Sequence, residues 1–309
     1  MDPGPEASSG REPAVILTPA DLAYPASLRA IADPPSPLYV CGTLRDEDRI
    51  AVAVVGTRRP SPYGLAAADR LAHDLARCGV TVVSGLARGI DGVAHRAALR
   101  AGGRTIAVLG SGPDVAYPPE HAGLAAQILQ AGAVITEYPP GTPPLKHQFP
   151  RRNRVISGLA IAVVVVEGRE GSGALITADC ALEQGREVFA VPGSIFAPTS
   201  VLPHRLLRQG AAPVTKVEDI LEDLRLDGLM LDGLRSQGGV RASGPSVRLA
   251  GGEAAVFAHL STDPVHIDAL AFRSGLSISD ASGVLLALEL RGLVRAVSGH
   301  RYVRTAQEG

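Results

Sequence analysis

From Ile50 to Leu224 the chain repeats one unit: an unbroken apolar run, a glycine-rich turn, then a stretch with helical spacing. The apolar runs cover residues 50–55, 80–83, 105–109, 133–136, 161–166 and 187–191. They are rich in β-branched residues and do not alternate with polar ones, which is how strands covered on both faces read. Between the first two runs, Leu65, Ala68, Leu71, Ala72 and Leu75 share one helical face, and Gly79 suits the position just past a helix end. This alternation predicts an α/β domain on a doubly wound, mostly parallel sheet with right-handed crossovers.

The flanks follow other patterns. Residues 19–44 are proline-rich and irregular, with Asp33-Pro34-Pro35 and Leu38-Tyr39-Val40, and read as a segment lying on the sheet domain. Residues 227–252 are rich in Gly, Ser and Leu, with little periodicity, and read as a linker; residues 229–234 could form a short helix there. Beyond it, residues 253–260 and 267–274 read as helices, and 277–292 as a third with apolar positions Ile278, Val284, Leu285 and Leu288. Residues 293–297, the turn Ser298-Gly299 and residues 300–304 then read as a β-hairpin. Three helices followed by a hairpin is the winged-helix layout. The expected division is an N-terminal extension with its proline-rich segment packed on the core (1–48), the sheet domain (49–224), a linker (225–250) and a small winged-helix-like domain (251–305).

Composition narrows the function classes. With 309 residues, 46% hydrophobic and 20% charged, the chain reads as globular. It has no run of about 18 apolar residues, so no membrane span is expected. Residues 1–12 are acidic and rich in Gly, Pro and Ser, without the basic and apolar parts of a secretory signal. Cys41, Cys78 and Cys180 are odd in number and not spaced as metal ligands, so a cytoplasmic protein without metal or cofactor is expected. Net charge is −1, so a polyanion partner would need local clusters of cations. The winged-helix segment offers little: over residues 251–309 five arginines face six carboxylates. Its third helix presents Ser277, Ser279, Asp280 and Ser282 at the end that would meet base edges in a major groove. A protein-contact or regulatory role is therefore expected of it ahead of duplex reading.

Open parallel sheets bind ligands beyond the carboxyl ends of their strands. Those positions read Gly56-Thr57-Arg58-Arg59, Ser84-Gly85-Leu86-Ala87-Arg88-Gly89, Gly110-Ser111-Gly112 and Gly171-Ser172-Gly173. Glycines admit close approach of an anion, and each stretch leads into a helix. Nucleotide fingerprints fail: no Gly-x-Gly-x-x-Gly follows the first strand, and Ala174-Leu175 stand where a Walker loop needs Lys and Ser or Thr. Asp91 and His95, four apart on a helix, could bond each other and pin the loop near Ser84; no nucleophile elbow accompanies them. Glu137, at a strand end, is expected to hold loop amides. The sharpest signal is Lys146-His147-Gln148-Phe149-Pro150-Arg151-Arg152-Asn153-Arg154, with no Asp or Glu from Pro139 to Ala162. Unpaired cations beside an aromatic ring suit a single-stranded nucleic acid, whose phosphates and bases they would hold.

Taken together, these motifs resemble the DprA/Smf family of bacterial DNA-processing proteins. The resemblance spans roughly Tyr24 to Asp223 and rests on Val55-Gly56-Thr57-Arg58-Arg59-Pro60-Ser61-Pro62-Tyr63-Gly64, on Ser84-Gly85-Leu86-Ala87-Arg88-Gly89-Ile90-Asp91 and on Tyr117-Pro118-Pro119-Glu120. Phe149-Pro150-Arg151-Arg152-Asn153-Arg154-Val155-Ile156-Ser157-Gly158 and the run from Ala181 to Ser194 carry it most strongly. It implies an extended Rossmann-like domain that binds single-stranded DNA without catalysis and forms a homodimer. It also implies loading of the recombinase RecA onto DNA during natural transformation, with single-strand-binding protein as a further partner. The expected DNA-binding residues are Gly56, Thr57, Arg58, Arg59, Ser84, Gly85, Arg88, Lys146, Phe149, Arg151, Arg152, Asn153, Arg154, Ser172 and Gly173. The sequence departs from the family pattern at Gly171 and Ala174 around the Gly-Ser loop, and at Leu202-Pro203-His204. Only about twenty residues precede Tyr24, where family members commonly carry a helical domain. Two other classes stay open, a phosphoribohydrolase-like nucleotide enzyme and a winged-helix transcriptional regulator.

Overall fold

The computed structural model describes residues 14–226, 252–261, 264–291, 293–297 and 299–304. The chain divides into two compact units, a large α/β unit and a smaller C-terminal one. The expected linker helix at 229–234 lies outside the described residues.

Nine strands form the sheet of the large unit: β1 (Val15–Leu17), β2 (Leu38–Gly42), β3 (Ala51–Val55), β4 (Thr81–Ser84), β5 (Thr105–Val108), β6 (Ala133–Thr136), β7 (Ala162–Val165), β8 (Glu187–Ala190) and β9 (Ala212–Pro213). Their order is β1-β2-β6-β5-β4-β3-β7-β8-β9. Strands β3 to β9 pair in parallel, while β1 and β2 add an antiparallel edge. All six apolar runs thus became strands within a residue or two of their expected bounds.

Between the strands lie α1 (Ala26–Arg29), α2 (Pro62–Arg77), α3 (Ile90–Arg100), α4 (Ala122–Ala131), α5 (Gln148–Leu159), α6 (Gly173–Glu183), α7 (Val201–Arg208) and α8 (Val217–Asp223). From β3 the chain steps outward to β6 through α2, α3 and α4. It then crosses back through α5 to β7 and steps the other way. Right-handed crossovers in opposite directions place the two helix sets on opposite faces. The buried residues of β5 and the one just past it alternate accordingly: Ile106 and Val108 join the cluster beneath α5 and α6, whereas Ala107 and Leu109 join the one beneath α4.

Two short pieces differ from expectation. The segment read as irregular contains β2, whose Leu38 and Val40 are buried while Tyr39 and Cys41 are only partly so. That period of two is a strand signal, but neighbouring prolines obscured it. Strand β9, two residues ending in proline, is too short to leave a pattern. Helix α1 docks on α5, with Leu28 fully buried; a Cβ on Gly158 would stand 2.8 Å from Leu28 Cδ1.

In the C-terminal unit, α9 (Gly252–Phe257), α10 (Ile267–Ser274) and α11 (Ile278–Leu290) pack with a three-stranded sheet of β10 (Val265–His266), β12 (Arg301–Arg304) and β11 (Val294–Val297), in that order. Val256, Leu270, Leu285, Leu288 and Val294 form its core. Ser277 caps α11, accepting the Asp280 amide at 3.1 Å. This is a winged helix, with one more strand, β10, than the sequence pattern suggested. The hairpin pairs Val297 with Arg301, and His300 adopts a left-handed φ of 53°.

Because Leu28 ties the N-terminal segment to α5, Leu28→Ala is expected to cost about 2–5 kcal/mol of stability, read by urea denaturation of the full chain. A loss under about 0.5 kcal/mol would show that this segment contributes little to the core.

Candidate nucleic-acid interface

Where the sheet reverses its direction of winding, the loops after β3 and β7 diverge to opposite faces and leave a crevice at the carboxyl edge. The Thr57 amide donates to the Glu167 carbonyl at 2.8 Å and ties the two loops. Glycine is required at the crossing of the next loop: Gly89 has φ +76°, and a Cβ there would lie 2.4 Å from the Thr57 carbonyl oxygen.

The loop from Ser84 to Gly89 is fastened from beneath. Ser84 Oγ donates to the Val54 carbonyl at 2.7 Å, and the buried Asp91 carboxylate accepts the amides of Gly85 (3.2 Å) and Ala87 (3.4 Å). His121 Nδ1 lies 2.9 Å from the Leu86 carbonyl, and Arg152 Nη1 donates to the carbonyls of Gly85 (2.7 Å) and Val108. Burial holds the Asp91 carboxyl above the ordinary carboxylate range, and it pulls the Arg152 guanidinium down to about 10, still cationic at neutral pH. Asp91 therefore pins the loop, as one reading of the sequence had it, but not together with His95. That imidazole is fully buried with Nδ1 2.7 Å from Thr105 Oγ1, which itself donates to the Val82 carbonyl.

Above this loop lies a shallow pocket lined by Arg58, Gly85, Ala87, Arg88, Tyr117, Pro118 and Phe149. The Arg58 guanidinium carbon stands 5.4 Å from the Phe149 ring centroid, and the Tyr117 ring is 5.5 Å away, tilted by 42°. Gly110 leaves room for that ring, since a Cβ there would be 3.0 Å from Phe149 Cδ1. Phe149 is half-buried, while Arg58, Arg59 and Lys146 are exposed and make no ion pair among the described residues.

The remaining expected cations are not free. Arg88 pairs with Glu120 on the surface. Arg154 is clamped by Glu137 in a two-pronged pair at 2.9 and 3.0 Å and also meets Asp33 at 3.0 Å; Arg151 meets Glu137 at 3.2 Å. The expectation of unpaired charge along α5 thus fails for Arg151 and Arg154, because Glu137 and Asp33 reach them from other elements. Arg152, expected at the surface, is 4% exposed. Glu137 holds these arginines instead of the loop amides expected of it. Asn153 is buried and donates from Nδ2 to the Gly173 carbonyl at 3.1 Å, while Ser172 caps α6 through the Ala174 amide at 3.4 Å. Ser172 and Gly173 do not line the pocket. Tyr117 and Gly110 were missed as partners of Phe149, although the Tyr117-Pro118-Pro119-Glu120 motif was the available signal. Among the described residues no group of His, Cys, Asp and Glu is arranged to hold a metal, and no helix is long and apolar enough to cross a membrane.

The family model for DNA recombination-mediator protein A matches residues 15–225. The chain belongs to this DprA/Smf family. The family's own winged-helix model, the DprA winged helix domain, matches residues 241–300. Among curated relatives, protein Smf of Escherichia coli is 46% identical over 290 residues, which cover 93% of this chain and 77% of that protein. DNA processing protein DprA of Bacillus subtilis is 48% identical over 203 residues, 65% of this chain and 68% of that one. The X-ray structure of DprA from Streptococcus pneumoniae superposes with a TM-score of 0.65 at 43% identity, over 68% of this chain and 74% of that one. DNA processing protein A of Helicobacter pylori, solved to describe its single-stranded DNA binding mode, gives 0.62 at 29% identity over 69% and 96%. The DprA relatives thus share the sheet domain from which the pocket is built.

The imidazole buried near this loop makes stability depend on pH. Burial depresses His95 to about 3, so the unfolded chain takes up a proton near pH 6.5 that the native fold refuses. Its contribution to stability is full above about pH 6.5 and is lost as pH falls toward 3. The stability gap between wild type and His95→Gln should therefore narrow from about pH 7.5 to about pH 5 in urea titrations; a constant gap would refute the buried neutral state.

Proposed function

We propose that the chain binds single-stranded DNA at the carboxyl edge of the sheet, acting as a non-catalytic recombination mediator. The observation that carries this reading is the exposed Arg58 guanidinium over the Phe149 ring, in a pocket that Tyr117 and Arg88 also line. Cations there hold phosphates, and the aromatic edge and the Arg58 plane offer bases a stacking surface. Ser84, Gly85 and Arg88 belong to the loop beneath it, Gly56 and Thr57 to the loop that carries Arg58, while Asn153, Ser172 and Gly173, outside the pocket lining, fasten the start of α6. Arg88 contributes its charge once a phosphate competes with Glu120. The single-stranded DNA binding described for the Helicobacter pylori relative supports the same ligand.

A mediator acts on a recombinase, and the family's role makes RecA the partner we propose. Pairing of two copies through the sheet domain is part of the same reading. The exposed side chains of Leu182, Ile195, Phe196 and Val201 support it, since apolar surface of this kind is stabilised by burial in an interface. Against an enzyme stands the engagement of the titratable groups at the edge: Asp91 holds amides, Glu137 holds arginines, and His95 is sealed inside. The family assignment outweighs the transcriptional reading, and the winged-helix charge balance agrees.

Fluorescence anisotropy with a labelled single-stranded oligonucleotide, at several salt concentrations, tests the ligand. With three or four phosphates held, the log–log salt slope should be about −2 to −3, and Arg58→Ala should reduce its magnitude by about 0.7 without lowering Tm. Equal affinity for duplex, or an unchanged slope in the variant, would sink this reading.

A further inference from the structure

We propose that Arg152 is a positioning residue, an internal strut that shapes the Ser84–Gly89 shelf under the pocket and does not itself touch the nucleic acid. This role rests on the single-stranded DNA reading and refines it. Arg152 comes from α5, three residues after Phe149, so one helix face delivers both the ring at the pocket and the guanidinium beneath the loop. Nη1 bridges the carbonyls of Gly85, just past β4, and Val108, the last residue of β5, and so joins two strand ends. Glycine at 85 is the other half of the device. A Cβ there would stand 2.6 Å from Nη2 and 2.7 Å from Cζ, so any side chain at that position pushes the strut away.

The polar backbone of the shelf is satisfied from below on both signs of charge. Asp91 takes the amides of Gly85 and Ala87, while Arg152 takes the Gly85 carbonyl. Nη1 is spent on those two carbonyls, and the Arg152 side chain is only 4% exposed, which leaves it poorly placed to meet a phosphate. Gly85, Ala87 and Arg88 of this shelf line the pocket, so its shape sets where Arg88 stands and how closely a backbone can approach. A lysine keeps the charge but loses the planar guanidinium that sets Nη1 between the two carbonyls.

The test compares Arg152→Lys and Gly85→Ala with wild type in the full chain, by oligonucleotide affinity, salt slope and amide hydrogen exchange. A strut predicts that either variant lowers affinity about tenfold or more with an unchanged salt slope. Exchange at Gly85 and Ala87 should accelerate while Val82 and Val83 in β4 stay protected. The double variant should bind no worse than the weaker single one, because both disturb one contact. A direct phosphate contact predicts instead a slope reduced by about 0.7 in a glutamine variant, with Gly85 and Ala87 exchange unchanged. That result, or wild-type affinity in both single variants, overturns the proposal. If Arg152→Lys also loses protection in β4, Gly85→Ala decides. Failure of the wild-type chain to bind single strands refutes the binding reading itself, whereas the exchange data report on the strut alone.

Discussion

The reversal of winding between β3 and β7 is the constraint on which the rest of this molecule depends. Parallel strands leave carbonyls and amides exposed at their ends, and at the reversal the two adjoining loops part to opposite faces. Something must fasten those loops, or the edge would be a ragged set of unsatisfied groups. Here the Thr57 amide bonds the Glu167 carbonyl across the gap, and Asp91, His121 and Arg152 fasten the neighbouring loop from inside. A firm edge is what allows a shallow pocket to hold shape without a ligand.

Charge is sorted by the same edge. Of the arginines supplied by α5, one is buried as a strut and two are held by Glu137. The guanidinium that rests over the Phe149 ring comes instead from the loop after β3. A cation over an aromatic face gains about 0.5–1 kcal/mol when exposed, enough to bias its position without immobilising it. A chain with net charge −1 can in this way present a cationic spot while its other arginines serve the fold.

The C-terminal unit shows fold and surface chemistry pulling apart. Its helices and wing form a winged helix, a layout often associated with duplex reading. Yet Arg291 is spent on Glu253 at 2.7 Å, and Arg304 covers the Phe257 ring at 4.2 Å. The start of α11 carries Ser277 bound to Asp280, which places a carboxylate where a phosphate would come. Layout alone therefore says little about the partner of this unit.

The sequence determined by itself the alternation of six buried strands with helices, the winged-helix layout, the glycine-rich turns at strand ends and the aromatic within a basic stretch. These are local properties: side-chain periodicity and backbone freedom are written within a few residues of each other. It did not disclose the antiparallel strand at the edge, where prolines masked a period of two. Nor did it disclose which cations are free. Glu137 lies beyond the acid-free window yet folds back onto Arg151 and Arg154, and Asp33 arrives from 121 residues away. Burial of Arg152 likewise depends on how deeply α5 sits against β4 and β5. Ion pairing and desolvation act over a few ångströms of space irrespective of chain separation, so only the tertiary structure could decide them.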